Sequence, residues 1–276
     1  MPTEDSARSA TWTVIAVSVA ADEAELVCDA LMQLGAVAVE EHVSESGAIV
    51  LRTSLGDDGI LRVASLAEHF TSVTIDVEEI PRSVVDTWRA HATASQVDQG
   101  LWLVPAWLNP PGDGIGVLIE PFDTFGLGNH PTTILALRLA RRHTRPGSRL
   151  HDHGTGSGVI AVAMTLTHGC ATSADDIHPG SRAAVSHNAT INGVTAPRWI
   201  TGLPREGVDV MVANILAPVL RAHASLIESA VVPGGTIVLS GLRTEQLADV
   251  VSHYRSCDTI DRDDDAGWSA VALRRR

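Results

Sequence analysis

HDHGTGSGVIAV, residues 151–162, sets glycines at 154, 156 and 158 directly after an aspartate and before an apolar run. RLHDH reads as a strand and GVIAVAMTL as a helix, so the glycines form the strand-to-helix turn of a βα unit. Without Cβ atoms a ligand can approach the backbone there, and the helix N-terminus presents N–H groups to it. A dinucleotide fingerprint needs a third glycine at position 159, where this chain has Val159, and the spacing argues against a pyrophosphate pocket of that type. Tight packing of a helix on a strand also selects glycine, so the turn alone does not assign a ligand.

Outward from this turn, strands alternate with helices from about residue 115 to the end. TTILALRLARR is a helix with Thr132 or Thr133 as N-cap and Arg141, Arg142 and His143 at its C-terminal end, where the macrodipole favours cations. After the glycine turn come ATSADDI as a strand, PGSRAAVSHNATING as a helix and VDVMVANI as an inner strand. PVLRAHASLIESAV is a helix, TIVLSGL a strand, EQLADVVSHY a helix and WSAVALRR a closing strand, with DRDDDAG as a solvated turn. This alternation predicts an α/β fold with a doubly wound, mostly parallel sheet over residues 96–276.

The first part of the chain has another rhythm. WTVIAVSVA is a strand, and Ala24, Val27, Leu31 and Leu34 line one helical face up to Gly35. AVAVEEH, GAIVLRT, ILRVASLAEHF and VTIDVEEI continue as strand, strand, helix, strand, the order of a small α+β ferredoxin-like domain. Its limits are set at residues 1–82, with a linker helix over 83–95.

The chain has 276 residues, 45% of them apolar, enough for a packed core. Its 20 basic side chains, all arginine, stand against 33 acidic ones, a formal charge of −13. A nucleic-acid backbone is therefore not expected as a direct partner, and a basic protein fits. Three widely separated cysteines, Cys28, Cys170 and Cys257, suit a reducing compartment. VIAVSVAA is too short to span a bilayer and follows acidic rather than basic residues. A cytoplasmic protein without membrane association is expected.

Three features add to the glycine turn. Asp176 lies at the expected end of the next strand, where a carboxylate can accept both hydroxyls of a ribose. Asn214 in VANIL ends an inner strand, and open sheets bind ligands at such carboxyl ends. FGLGNHPTT, residues 125–133, combines an aromatic, two glycines and a helix start into a candidate flap.

FGLGNHPTT, HDHGTGSG, ADDIHP, VANIL and PGGTIVLSGL occur in the order and spacing of the PrmA family, which the chain resembles over most of its length. That resemblance implies a class I methyltransferase that uses S-adenosylmethionine to methylate amino groups of a basic ribosomal protein of the large subunit. It also implies that the small N-terminal domain docks the protein substrate. Carried across by position, Thr133, Gly154, Asp176 and Asn214 correspond to cofactor contacts, with Asp152 and Gly156 beside them. Asn214 and Phe125 correspond to the residues at the substrate amine.

The chain departs from the family pattern in several places. Leu127 stands where a threonine is usual, Thr155 replaces a cysteine, His178 replaces the second aspartate of DIDP, and His151 and His153 replace apolar strand residues. Two histidines two apart on a strand share a face, and with His178 they suggest convergence on a metal. The resemblance offers no metal, so local hydrogen bonding is expected of them. A small-molecule N-methyltransferase on the same fold, or a catalytically impaired S-adenosylmethionine-binding protein, stand as alternatives.

Overall fold

The computed structural model describes residues 11–276 except 22, 35, 37–38, 45–46, 56–58, 65, 71, 82–88, 90–91 and 123. The chain divides into two compact units, Met1–Ala92 and Thr93–Arg276.

In the first unit, strand β1 (Thr11–Val19) is followed by helix α1 (Ala24–Gln33), β2 (Glu40–Val43) and β3 (Ile49–Thr53), then two short helices, α2 (Gly59–Val63) and α3 (Leu66–His69), and finally β4 (Thr74–Pro81). The sheet order is β2-β3-β1-β4, with every neighbour antiparallel, the ferredoxin-like arrangement that the sequence predicts. Alternate residues Ile15, Val17 and Val19 are buried against Val27 and Leu31 of α1, so one face of the sheet makes the core. The opposite face is acidic: among the described residues, Glu40, Asp76 and Glu78 lie around Arg52, which pairs with Glu78 at 2.6 Å. Gly35 and most of the expected linker helix fall outside the described residues, and Ser95 already opens the next strand.

The second unit starts with a three-stranded sheet, β5 (Ser95–Asp98), β6 (Leu101–Pro105) and β7 (Ile115–Ile119), before α4 (Pro131–His143). Then come β8 (Arg149–His153), α5 (Val159–His168), β9 (Ala171–Asp175), α6 (Ser181–Ile191), β10 (Arg198–Trp199) and β11 (Val208–Asn214). Helices α7 (Ala217–Ala222) and α8 (Ala224–Ser229), β12 (Val231–Arg243), α9 (Leu247–Ser252), β13 (Cys257–Asp265) and β14 (Trp268–Arg275) complete it. The seven-stranded sheet has the order β10-β9-β8-β11-β12-β14-β13, parallel except at β14. Chain order reverses between β8 and β11, so the carboxyl ends of β8, β9 and β11 meet at the switch point where such sheets bind ligands. No helix among the described residues is long and apolar enough to cross a membrane.

Four local expectations need correction. DRDDD is not a solvated turn but most of edge strand β13, paired residue by residue with β14 up to the turn at Ala266 and Gly267. Its alternate aspartates make it adhere: Arg142 reaches Asp261 and Asp263 at 3.0 and 2.7 Å, and His143 reaches Asp261 at 2.8 Å. Helix α4 is capped by neither threonine; His130 is the N-cap, its Nδ1 accepting from the Thr132 N–H, with Pro131 in the first turn. The single helix expected after VANIL is two, broken at His223. The helix expected to start at Glu245 begins as a short 3₁₀ turn.

β7 has a free edge, and helix α6 closes it with side chains. Asn192 Oδ1 accepts from Leu118 N–H at 2.8 Å and its Nδ2 donates to Leu118 C=O at 2.7 Å. Four residues earlier, Asn188 Oδ1 accepts from Glu120 N–H at 2.9 Å while its Nδ2 donates to Glu120 and Ser157 carbonyls, both at 2.9 Å. One helical turn thus matches two residues of strand, and the carboxamides stand in for a neighbouring strand. Asn188 is fully buried, so its loss strands several buried backbone groups. Asn188→Leu is expected to lower stability by about 2–4 kcal/mol in urea unfolding, and Asn192→Leu by less, because Asn192 is partly exposed.

Candidate active site at the carboxyl ends of β8, β9 and β11

The glycine turn is held from below by β9. Gly154 and Thr155 donate their N–H groups to the Asp175 carbonyl at 3.0 and 3.1 Å, and Gly156 N–H donates to Asp176 Oδ2 at 2.7 Å. Asp152 holds it from inside: its Oδ2 accepts from Thr155 Oγ1 at 2.7 Å and from Ala161 N–H at 3.1 Å. The turn residues leave no freedom of type. At Gly154 φ is +72°, and a Cβ would lie 2.3 Å from Ile215 Cγ2. At Gly156 φ is +55°, and a Cβ would lie 2.4 Å from the Phe125 carbonyl oxygen. The space that missing Cβ atoms open is therefore filled by the protein itself, and Gly154 keeps partial exposure while Gly156 is buried.

The FGLG segment rests on this turn. Ser157 N–H donates to Phe125 C=O at 2.9 Å and Ser157 Oγ to Gly126 C=O at 2.6 Å. That leaves the Phe125 ring 42% exposed, edge-on to His130, which is edge-on to Trp268, under the Arg243 guanidinium. Burial, then the charge of Arg243, holds the His130 imidazole below its ordinary pKa.

The residues singled out from sequence separate into two groups. Gly154, Asp176, Asn214 and Phe125 have exposed or half-exposed surface around the switch point. Thr133 and Asp152 are fully buried, so they act through what they hold: Thr133 Oγ1 accepts from Asn214 Nδ2 at 3.4 Å, and Asp152 closes the glycine turn. Asp176 Oδ1 also accepts from His178 N–H at 2.7 Å. Each of its oxygens keeps a further acceptor position. Ile177, which sequence reading passes over, is 98% exposed, an isoleucine left bare beside the half-exposed Asp176 carboxylate. Its signal in the sequence is an apolar residue directly after a strand-ending acid.

His178 does not join His151 and His153; its Nδ1 accepts from Gly180 N–H at 3.2 Å. His151 and His153 instead share one carboxylate. His151 Nε2 lies 3.0 Å and His153 Nδ1 2.8 Å from Asp175 Oδ1. Burial opposes ionisation of Asp175, but the two imidazole hydrogen bonds outweigh it and bring its pKa down to about 2. Asp152 goes the other way: burial dominates its two hydrogen bonds and raises it to about 6.

A carboxyl raised in the fold binds a proton more tightly folded than unfolded, so its stabilising contribution is complete below about pH 4 and is lost as pH rises through 6. Asp152→Asn keeps the shape and removes this term. Relative to the parent, the variant is expected to gain roughly 3 kcal/mol between pH 4 and pH 7 in unfolding measured across that range.

Comparison with known proteins bears directly on this arrangement. The family described as "Ribosomal protein L11 methyltransferase (PrmA)" matches residues 57–276. The chain is 32% identical to the ribosomal protein L11 methyltransferase of Thiobacillus denitrificans, over 93% of this chain and 97% of that protein. It is 30% identical to that of Pseudomonas paraeruginosa, over 96% and 99%. Among solved structures, the ribosomal protein L11 methylase of Lactobacillus delbrueckii subsp. bulgaricus superimposes with a TM-score of 0.62 at 27% identity, covering 67% of this chain and all of that one. With its glycine turn, strand order and switch-point residues in place, the chain belongs to the PrmA family of ribosomal protein L11 methyltransferases.

Proposed function

We propose that this chain transfers a methyl group from S-adenosylmethionine to amino groups of ribosomal protein L11, a reaction of the cytoplasm. The observation that carries the cofactor reading is the half-exposed Asp176 carboxylate, fixed by Gly156 and His178 N–H groups beside the bare Ile177 side chain. A carboxylate with one open acceptor position on each oxygen suits the two hydroxyls of a ribose, and an exposed isoleucine next to it suits the face of an adenine. The exposed backbone at Gly154 would border the methionine portion. Bound there, the cofactor supplies a methyl group already activated on a sulfonium.

What remains for the protein is to hold a neutral amine in line, at about 3–3.5 Å from the methyl carbon. Asn214 spends its Nδ2 on Thr133, which leaves Oδ1 to accept from the incoming N–H and to stabilise positive charge as it forms on nitrogen. Phe125, propped on the turn with its ring exposed, would close the acceptor side. The acidic open face of the N-terminal sheet and a net charge of −13 favour a basic protein over a small molecule as acceptor.

The chemistry also ranks the acceptors. Deprotonating a lysine of pKa about 10.4 at pH 7 costs roughly 4.6 kcal/mol, against about 1–1.4 kcal/mol for an α-amino group. A terminal amine is the easier nucleophile, and a lysine needs desolvation by the pocket to compete.

Incubation with purified L11 and cofactor, read by intact mass and peptide mapping, is expected to add methyl groups including at least one on the N-terminal α-amine. Labelling of lysine side chains alone would remove that ranking, and no transfer at all would remove the function. Asp176→Ala is expected to weaken S-adenosylmethionine binding about 30-fold or more by calorimetry, through the loss of hydrogen bonds to a charged acceptor. Unchanged affinity in a folded variant would overturn the assigned cofactor site.

A further inference from the structure

The pair of histidines on β8 is the part of the molecule that methyl transfer leaves unused. His151 and His153 are two apart and face the same side of the sheet, toward β9, where Ser173 and Asp175 are their register partners. His151 is completely buried, and Asp175 and His153 each keep 11% side-chain exposure. Among the described residues, the ion pairs of Asp175 are with these two imidazoles, and no arginine offsets its charge.

We propose that His151 Nε2, His153 Nδ1 and Asp175 Oδ1 form a site for a divalent transition-metal ion of the zinc class, completed by water. Their three ligand atoms lie within 4.8 Å of one another, and the two nitrogens stand 3.0 and 2.8 Å from the same oxygen. Tetrahedral coordination with bonds near 2.0–2.1 Å puts ligand atoms about 3.3 Å apart. Seating an ion therefore asks each imidazole to draw back by about 0.3–0.5 Å, within the reach of small side-chain rotations.

The atoms behind the ligands fit the same reading. A metal-bound imidazole uses one nitrogen for the ion and donates its other N–H to a neighbouring acceptor, which fixes tautomer and ring plane. His151 Nδ1 lies 2.9 Å from Ser173 Oγ, and His153 Nε2 lies 3.2 Å from His223 Nδ1. His223 stands at the break between α7 and α8, so the interruption of that helix sets a ring behind the site. Two imidazoles and a carboxylate are a donor set that Zn²⁺, Co²⁺ and Ni²⁺ accept. The 11% exposure of His153 and Asp175 gives the ion its access and the water its position.

The location gives the ion a role distinct from chemistry on the methyl group. His153 directly precedes Gly154 and Asp175 directly precedes Asp176, so an ion would clamp the ends of β8 and β9 beneath the glycine turn. The site is independent of the cofactor reading.

The test is direct metal binding by the full-length protein after dialysis against chelator. Co²⁺ titration is expected to give one ion per chain with the intense visible bands of tetrahedral coordination, displaced by Zn²⁺. Zn²⁺ at a hundredfold over its Kd is expected to raise Tm by about 5 °C or more. Asp175→Asn and His153→Gln keep side-chain size and hydrogen bonding and are each expected to weaken binding at least tenfold. His253→Gln, at an exposed histidine, should leave binding unchanged. Absence of tetrahedral bands in the parent protein overturns the site whatever the variants do, and so does equal affinity in a folded Asp175→Asn. Either result would leave a hydrogen-bonded His–Asp–His cluster only.

Discussion

The backbone carbonyl of Asp175 accepts two successive N–H groups, from Gly154 at 3.0 Å and Thr155 at 3.1 Å, and ties the end of β9 to the turn after β8. Around this bifurcated contact the site assembles in order. The next residue, Asp176, takes the Gly156 N–H, and Asp152, two residues before the first glycine of the turn, takes Thr155 Oγ1 and Ala161 N–H from the opposite side. A turn so held is preorganised, which is the condition under which backbone and carboxylate groups contribute most to binding. The left-handed backbone at Gly154 and Gly156 is affordable because only glycine stands there and because neighbouring chain fills the Cβ directions.

The same residue, Asp175, connects the turn to a polar cluster in what is otherwise an apolar strand layer. Its backbone serves the turn and its side chain serves His151 and His153. Isolated, any one of these groups would carry a desolvation cost of about 1–3 kcal/mol. Together with Ser173 and His223 they satisfy one another, so the histidines do not break the strand. This is why β8 keeps its register with both β9 and β11 across the histidine positions.

What the sequence made legible follows from which contacts are periodic. The ferredoxin-like order could be read because Ile15, Val17 and Val19 recur at every second position of a short apolar run, and the parallel sheet because apolar strands alternate with helices and end in glycine, aspartate or asparagine. Strand β13 could not be read: at a sheet edge that meets α4 through aspartates rather than apolar side chains, DTIDRDDD has no apolar alternation and looks like a turn. Asn188 and Asn192 were invisible for a related reason, since within a helix an asparagine carries no sign of the distant strand edge it will pair. The helix break at His223, whose ring meets His153, carries no periodic sign of its own. Of the candidate site, the glycine turn, Asp176 and Asn214 were recoverable from their places at strand ends. The buried stations of Thr133 and Asp152 required the packing.

The two sides of the site differ in how firmly they are built, and the difference matches their tasks. On the proposed cofactor side every turn N–H from Gly154 to Gly158 has an acceptor within the protein. On the proposed acceptor side, Phe125 is anchored through its carbonyl while its ring stays exposed, and Asn214 is steadied by a longer contact of 3.4 Å to Thr133. A cofactor is the same molecule in every cycle and rewards a rigid seat. Amines at a chain terminus and on side chains would arrive on differently shaped segments, and a part-exposed aromatic ring over a fixed backbone would accommodate them without loosening the floor beneath.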